Sequence, residues 1–264
     1  MGVYTKQPQT ICTPNRNGVF GALWGGSLLV ALPSLRMANI ATGNSYVSRS
    51  RSGVVGTAPN EAFIGGLAQK TAGGGKHGSN YSAPNIALTS FTIAAVVRFT
   101  SVTGTQVITG NDDGNSGGMR MVCLNGDFVL AHIGINNIIL STGALSANNT
   151  YFLAVSRNNA ANSEEWVVAN ITTGKILSGT KADSTGWNTP TTGLWPVGYG
   201  RTTVESVAGY VFMAYISSSI VSNGFLVEWA KNPWALFSSP ERAILFVQAS
   251  GGTTTNRQYS FVAG

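Results

Sequence analysis

From residue 90 to residue 217 the chain is a succession of strand-length apolar runs broken by turn residues about every ten positions, and that punctuation confines it to an antiparallel sandwich of short strands. Residues 91–99 are almost wholly apolar, as a strand buried on both faces requires. Further strands are predicted over 105–109, 119–124, 127–133, 136–141, 151–157, 164–171, 175–177, 194–198 and 209–216. Asn125-Gly126 stands between two of them and is the strongest hairpin signal in the chain, because a type I′ turn needs positive φ at both central positions. One helix is predicted, over 223–230: Phe225, Leu226 and Trp229 share a face, and Pro233 stops it.

Composition fits short strands and many turns. Of 264 residues only 10% are charged, against about 25% in ordinary globular chains, while 43% are hydrophobic and 33 are glycine. So few charges also suit a surface partly covered by other subunits. The net charge of +6 is unevenly spread. Lys6, Arg16, Arg36, Arg49, Arg51, Lys70 and Lys76 face only Glu61 in the first 80 residues, and the remainder balances. Arg49-Ser50-Arg51 is too short for a nucleic-acid arm, so DNA is not an expected partner; a charged surface or a neighbouring subunit is. Cys12 and Cys123 make neither a disulfide framework nor a structural zinc set, and Cys123 within Met-Val-Cys-Leu reads as a small core residue. No basic segment followed by an apolar stretch opens the chain, and the apolar run at 28–32 is too short to span a bilayer. The expectation is a protein made in the cytoplasm with no membrane partner.

Three segments follow from this pattern. Residues 1–18 are polar, contain Pro8 and Pro14, and read as an extended N-terminal arm that docks on a neighbour or is disordered alone. Residues 19–248 form the sandwich, with 80–237 its most regular part. Within it, 19–32 holds the first strands, and 48–80 is Gly-rich with a short strand at 62–64. Residues 249–264 are a C-terminal extension.

Particular residues sharpen the reading. Residues 90–97 read Ser-Phe-Thr-Ile-Ala-Ala-Val-Val, 151–157 read Tyr-Phe-Leu-Ala-Val-Ser-Arg, and 209–216 read Gly-Tyr-Val-Phe-Met-Ala-Tyr-Ile. In this order, with hairpins over 105–133, they resemble the second half of a laminin-G-like, concanavalin A-like jelly roll. The helix leading to Asn232-Pro233-Trp234, Leu236 and Phe237 is similar to versions found in structural proteins of tailed bacteriophages. The acidic Asp-Glu-Val-Arg of cellular relatives is missing, since Tyr215-Ile216-Ser217 follows the late strand directly. The resemblance implies an all-β, antiparallel lectin-glucanase sandwich whose C-terminal helix is anchored by Trp229, Asn232, Pro233, Trp234 and Phe237. It implies a non-enzymatic virion component of capsid, tail or fibre, assembled in the host cytoplasm. Its partners would be other virion proteins and further copies of itself, with a trimer expected. The alternative is a receptor- or carbohydrate-binding module that recognises a host surface glycan.

The chemistry-bearing residues point away from catalysis. Glycosidases of this fold carry Glu-x-Asp-x-Glu on one strand so that alternate carboxylates share a cleft, and no such triplet occurs. The close acidic pairs are Asp112-Asp113 and Glu164-Glu165, and neighbours on a strand point to opposite faces. Both pairs read as solvated turn or edge carboxylates. No cofactor is implied; Asp112 and Asp113, flanked by Asn111 and Asn115, offer hard oxygen ligands for Ca2+ as the single metal alternative. His77 and His132 are far apart in sequence, and His132 reads as a structural histidine on a strand. For a glycan, Trp187, Asn188, Trp195 and Tyr199 supply stacking faces and an amide in one loop-rich region. Packing or subunit contact is the competing role for Trp187.

Overall fold

The structure, a computed structural model, describes residues 90–110, 117–183, 205 and 207–235 with their side chains; elsewhere it describes the backbone of strands and of one 3-10 turn. In chain order the strands are β1 (Thr13–Pro14), β2 (Leu28–Pro33), β3 (Ser45–Val47), β4 (Val55–Thr57), β5 (Ala62–Ile64), β6 (Ala68–Ala72) and β7 (Ser79–Ser82). Then come β8 (Phe91–Phe99), β9 (Thr105–Asp112), β10 (Gly118–Leu124), β11 (Asp127–His132), β12 (Asn136–Ser141), β13 (Thr150–Asn158) and β14 (Ser163–Asn170). β15 (Ile176–Ala182), β16 (Leu194–Val197) and β17 (Ala208–Ser217) precede the helix α1 (Asn223–Lys231), and β18 (Phe237–Ser238), β19 (Ile244–Leu245) and β20 (Tyr259–Ser260) close the series. One sheet runs β15-β14-β13-β8-β17-β6-β5, with β2 also on β17; the other runs β12-β11-β10-β9-β16-β7-β4-β3. The strand pairs are antiparallel, as the turn punctuation predicts.

The core lies between the sheets. Alternate residues of β8 (Phe91, Ile93, Ala95, Val97, Phe99) meet Ile108, Met119, Met121, Cys123, Phe128 and Leu130 of the opposite sheet. Cys123 is a buried free thiol there, and burial pushes its pKa up to about 11. Ala94 and Val96 of β8 face outward yet are equally buried, because α1 covers them: with Phe152, Ala154, Met213 and Tyr215 they pack under Leu226, Trp229 and Ala230, while Arg98 near the end of the strand is exposed. That second apolar layer explains why residues 93–97 of β8 and 151–155 of β13 are apolar on both faces rather than alternating.

Two local predictions hold in detail. Asn125 and Gly126 take φ of 50° and 91° in a two-residue turn between β10 and β11. The helix begins at Asn223, where the Ser222 hydroxyl accepts from the Phe225 amide, and ends before Pro233. Elsewhere the structure goes further than the pattern. β15 extends five residues past the predicted segment at 175–177, and the Gly-rich 48–80 supplies β4, β6 and the start of β7 besides β5. The arm contains β1, which pairs with β18 at the far end of the chain. The strand expected near 19–24 lies outside the described residues.

Candidate functional site

With α1 on one sheet, the outer face of β9–β12 is left as the candidate binding face. Side-chain alternation brings one residue per strand into each row across it. Register aligns Val107, Val122, Val129 and Ile139, and beside that row Gly110, Arg120, Ala131 and Asn137. β9 approaches closely at Gly110, where a Cβ would stand 2.2 Å from the Met119 carbonyl oxygen, so a side chain there would push the strand away from Arg120. A recess of about 560 Å³ opens on this face, within the range of small-ligand sites. Val107, Val122 and Val129 form its buried floor; Leu124 and Ala131 are half-buried at its walls; Thr105, Asn136, Asn137 and Ile135 stand exposed at its rim. Arg120 and Glu205 complete it as an ion pair of 3.2 Å, with Glu205 held beside β9 by its own carbonyl accepting from the Val107 amide at 2.8 Å.

A second cluster of charge sits under one end of the recess, inside the sandwich. Tyr151, Leu153, Val155 and Arg157 share the inner face of β13, so the last of them carries a guanidinium into the core. The β13–β14 register sets Arg157 opposite Glu164, and the two pair, both 0% exposed. Arg157 Nη1 also donates to Asp183, which follows β15, at 2.6 Å, and His132 Nδ1 on β11 of the other sheet lies 3.7 Å from the same carboxylate oxygen. The cluster thus ties the two sheets together. His132, Glu164 and Asp183 bring ligand atoms within 4.8 Å of one another, a set that could hold a cation. Arg157 already supplies the positive charge between the two carboxylates, so the group works as an internal clamp.

Burial first, then the Arg157 charge, lowers the pKa of His132 to about 4, with Asp183 opposing. Burial raises Glu164 to about 7, Arg157 opposing and Asp183 adding to the rise. The two act on stability with opposite signs. His132 contributes stability that is whole above its ordinary 6.5 and lost as pH falls through about 4. Glu164 contributes stability that is whole below 4.5 and lost as pH rises through about 7. Between 4.5 and 6.5 the slopes offset each other. His132→Gln removes one of them, so relative to the parent its urea midpoint should fall as pH rises across that window. Parallel pH profiles for the two proteins would contradict the coupling.

The residues singled out from sequence are spread differently. Trp187, Asn188, Tyr199 and Asp113 lie outside the described residues. Trp195 is in β16, Asp112 ends β9 and Phe237 begins β18, and only their backbone is described. Trp229 is buried against Phe152 and Tyr215, its ring 5.1 Å from each, and its indole N–H donates to the Pro233 carbonyl at 3.2 Å. Asn232 caps α1 with its amide on the Trp229 carbonyl, and Trp234 is buried in the same layer. Glu164 and Glu165 do point to opposite faces, but neither is a solvated carboxylate. Glu164 is locked to Arg157, and Glu165 reaches outward to accept from the Asn223 amide at the start of α1. Thr105, Arg120, Asn136, Asn137 and Glu205 were not singled out, because the recess draws on separate strands and a distant loop. Arg120 alone leaves a sequence trace, as a charge inside the apolar run of β10.

No family model and no curated protein matches the chain. Solved structures do. The Trypanosoma rangeli sialidase in complex with sialic acid is 15% identical, with 88% of this chain and 37% of the sialidase covered at a TM-score of 0.58. The binding domain of botulinum neurotoxin DC in complex with SialylT is 14% identical, with 78% and 52% covered at 0.55. The binding domain of botulinum neurotoxin serotype D is 11% identical, with 77% and 50% covered at 0.53. The chain therefore spans little more than a third of the sialidase and about half of the toxin domains. At these identities the likeness shows the fold alone, an antiparallel β-sandwich.

Proposed function

We propose that this chain is a non-enzymatic carbohydrate-binding module whose ligand sits in the recess over β9–β12. The observation that carries the reading is the recess itself: a polar rim over an aliphatic floor, on the sheet face that α1 leaves uncovered. Saccharides present hydroxyls around a carbon skeleton, and a few convergent polar groups beside apolar surface are what such a ligand needs. Two of the solved structures of similar fold are held with sialic acid or SialylT, which supports the use of this sandwich for saccharides. A binding rather than a hydrolytic role is supported by the state of the carboxylates: Glu164 and Asp183 are buried around Arg157, and Glu205 is paired with Arg120. Replacing Asn136 and Asn137 together by Ala should weaken binding of a saccharide ligand about tenfold, each amide contributing roughly 0.5–1.5 kcal/mol. Both are exposed, so folding should be unchanged. Calorimetric titration of the parent and the double variant tests this, and equal affinity would place the ligand elsewhere.

The larger setting we propose is a bacteriophage particle, assembled in the host cytoplasm, with other virion proteins and further copies of the chain as neighbours. Its support is the Asn232-Pro233-Trp234 run with Leu236 and Phe237, together with the low charge. β12, an edge strand without a charged residue, adds exposed Ile139, and Ile135 stands just before it. The mass of the protein in solution tests the expected trimer.

A further inference from the structure

We propose that the recess selects neutral saccharides and rejects acidic ones, an inference that rests on the carbohydrate-binding reading above. It follows from which member of the ion pair faces outward. Arg120 Nη1 lies 3.2 Å from Glu205 Oε2, and the Glu205 side chain is 23% exposed against 7% for Arg120. A ligand entering the recess meets the carboxylate before the guanidinium. A sugar hydroxyl can donate to that carboxylate, whereas a ligand carboxylate is repelled by it. To reach Arg120, an acidic sugar would have to displace Glu205 from a nearly sealed partner and leave one of the two anions unpaired.

The rest of the lining points the same way. Thr105, Asn136 and Asn137 are uncharged groups that both donate and accept, which matches hydroxyls and acetamido groups. Among the described residues no Phe, Tyr or Trp lines the recess. Half-buried Leu124 and Ala131 and exposed Ile135 offer aliphatic contact suited to a methyl group. The ligand class is a neutral hexose unit carrying a methyl, as an N-acetyl or a 6-deoxy substituent.

The test is calorimetric titration of the full chain with an N-acetylglucosamine trimer, a rhamnose-containing trisaccharide and sialyllactose. The expected result is at least one neutral probe bound about tenfold or more tightly than sialyllactose, and the two neutral arms tell which methyl is read. In Glu205→Gln that ratio should shrink or reverse, since the outward anion is gone. A parent protein that prefers sialyllactose overturns this inference and leaves the carbohydrate reading standing. Failure to bind any of the three overturns both. A folded Glu205→Gln with an unchanged ratio overturns the assignment to Glu205; should that variant not fold, the parent's own preference decides.

Discussion

Replacing Arg157 by Met is expected to cost about 3–5 kcal/mol, a large part of the stability of an ordinary domain. Arg157 is wholly buried and holds both Glu164 and Asp183. Without it, Asp183 keeps an unbalanced charge in a low-dielectric interior and Glu164 is driven further toward its protonated form, and among the described residues the basic group beside them is His132, neutral near pH 7. The penalty is that of stranded charge rather than of lost packing, and this has a checkable consequence. Adding Glu164→Met to Arg157→Met should recover part of the loss, because the pair is removed together. Urea unfolding of the two variants and the parent decides it. A loss below about 1 kcal/mol in Arg157→Met, or a double variant no more stable than Arg157→Met alone, would contradict the clamp.

Trp229→Ala is the second large effect, about 3–5 kcal/mol by the usual cost of emptying a large aromatic site. Trp229 is 0% exposed and stands edge-on to Tyr215 and tilted to Phe152 at 5.1 Å from each. Its indole also fixes the turn after α1 through the Pro233 carbonyl. The variant should lose helix protection in amide hydrogen exchange over 223–231 before the strands of the core do. The recess lies on the opposite sheet, so saccharide affinity in the still-folded protein should stay within about twofold of the parent. Global and helix exchange that remain at parental levels would show that α1 is held by something other than this ring.

The parts of the fold written in local chemistry are those that sequence reveals. Asn125-Gly126 encodes a turn type, Ser222 and Pro233 bracket a helix, and the apolar runs of β8 and β13 announce burial. β4, β6 and β7 are less visible: Val55–Thr57, Ala68–Ala72 and Ser79–Ser82 carry few apolar side chains, and they are strands through pairing, β6 with β17, β7 with β16, and β4 with β3 and β7. The resemblance in order and spacing captured the sandwich, since topology is what strand order records. It did not capture the recess. Thr105, Arg120, Asn136 and Glu205 meet only through the register of β9, β10, β11 and β12 and the path of a distant loop. The Arg157 clamp was nearer to reach. Arg157 follows Tyr151, Leu153 and Val155 at the parity of an inward face, and a hairpin over 158–163 sets Glu164 opposite it. A charge at a core position of a strand requires a partner, and the hairpin names one.

The recess over β9–β12 is the central claim, and backbone NMR of the protein titrated with a neutral oligosaccharide addresses it residue by residue. The predicted result is shifts concentrated at Thr105, Asn136, Asn137 and Glu205, with Leu226 and Trp229 on the helix side unmoved. Shifts confined to the helix side, or to the segment around Trp195, would contradict it.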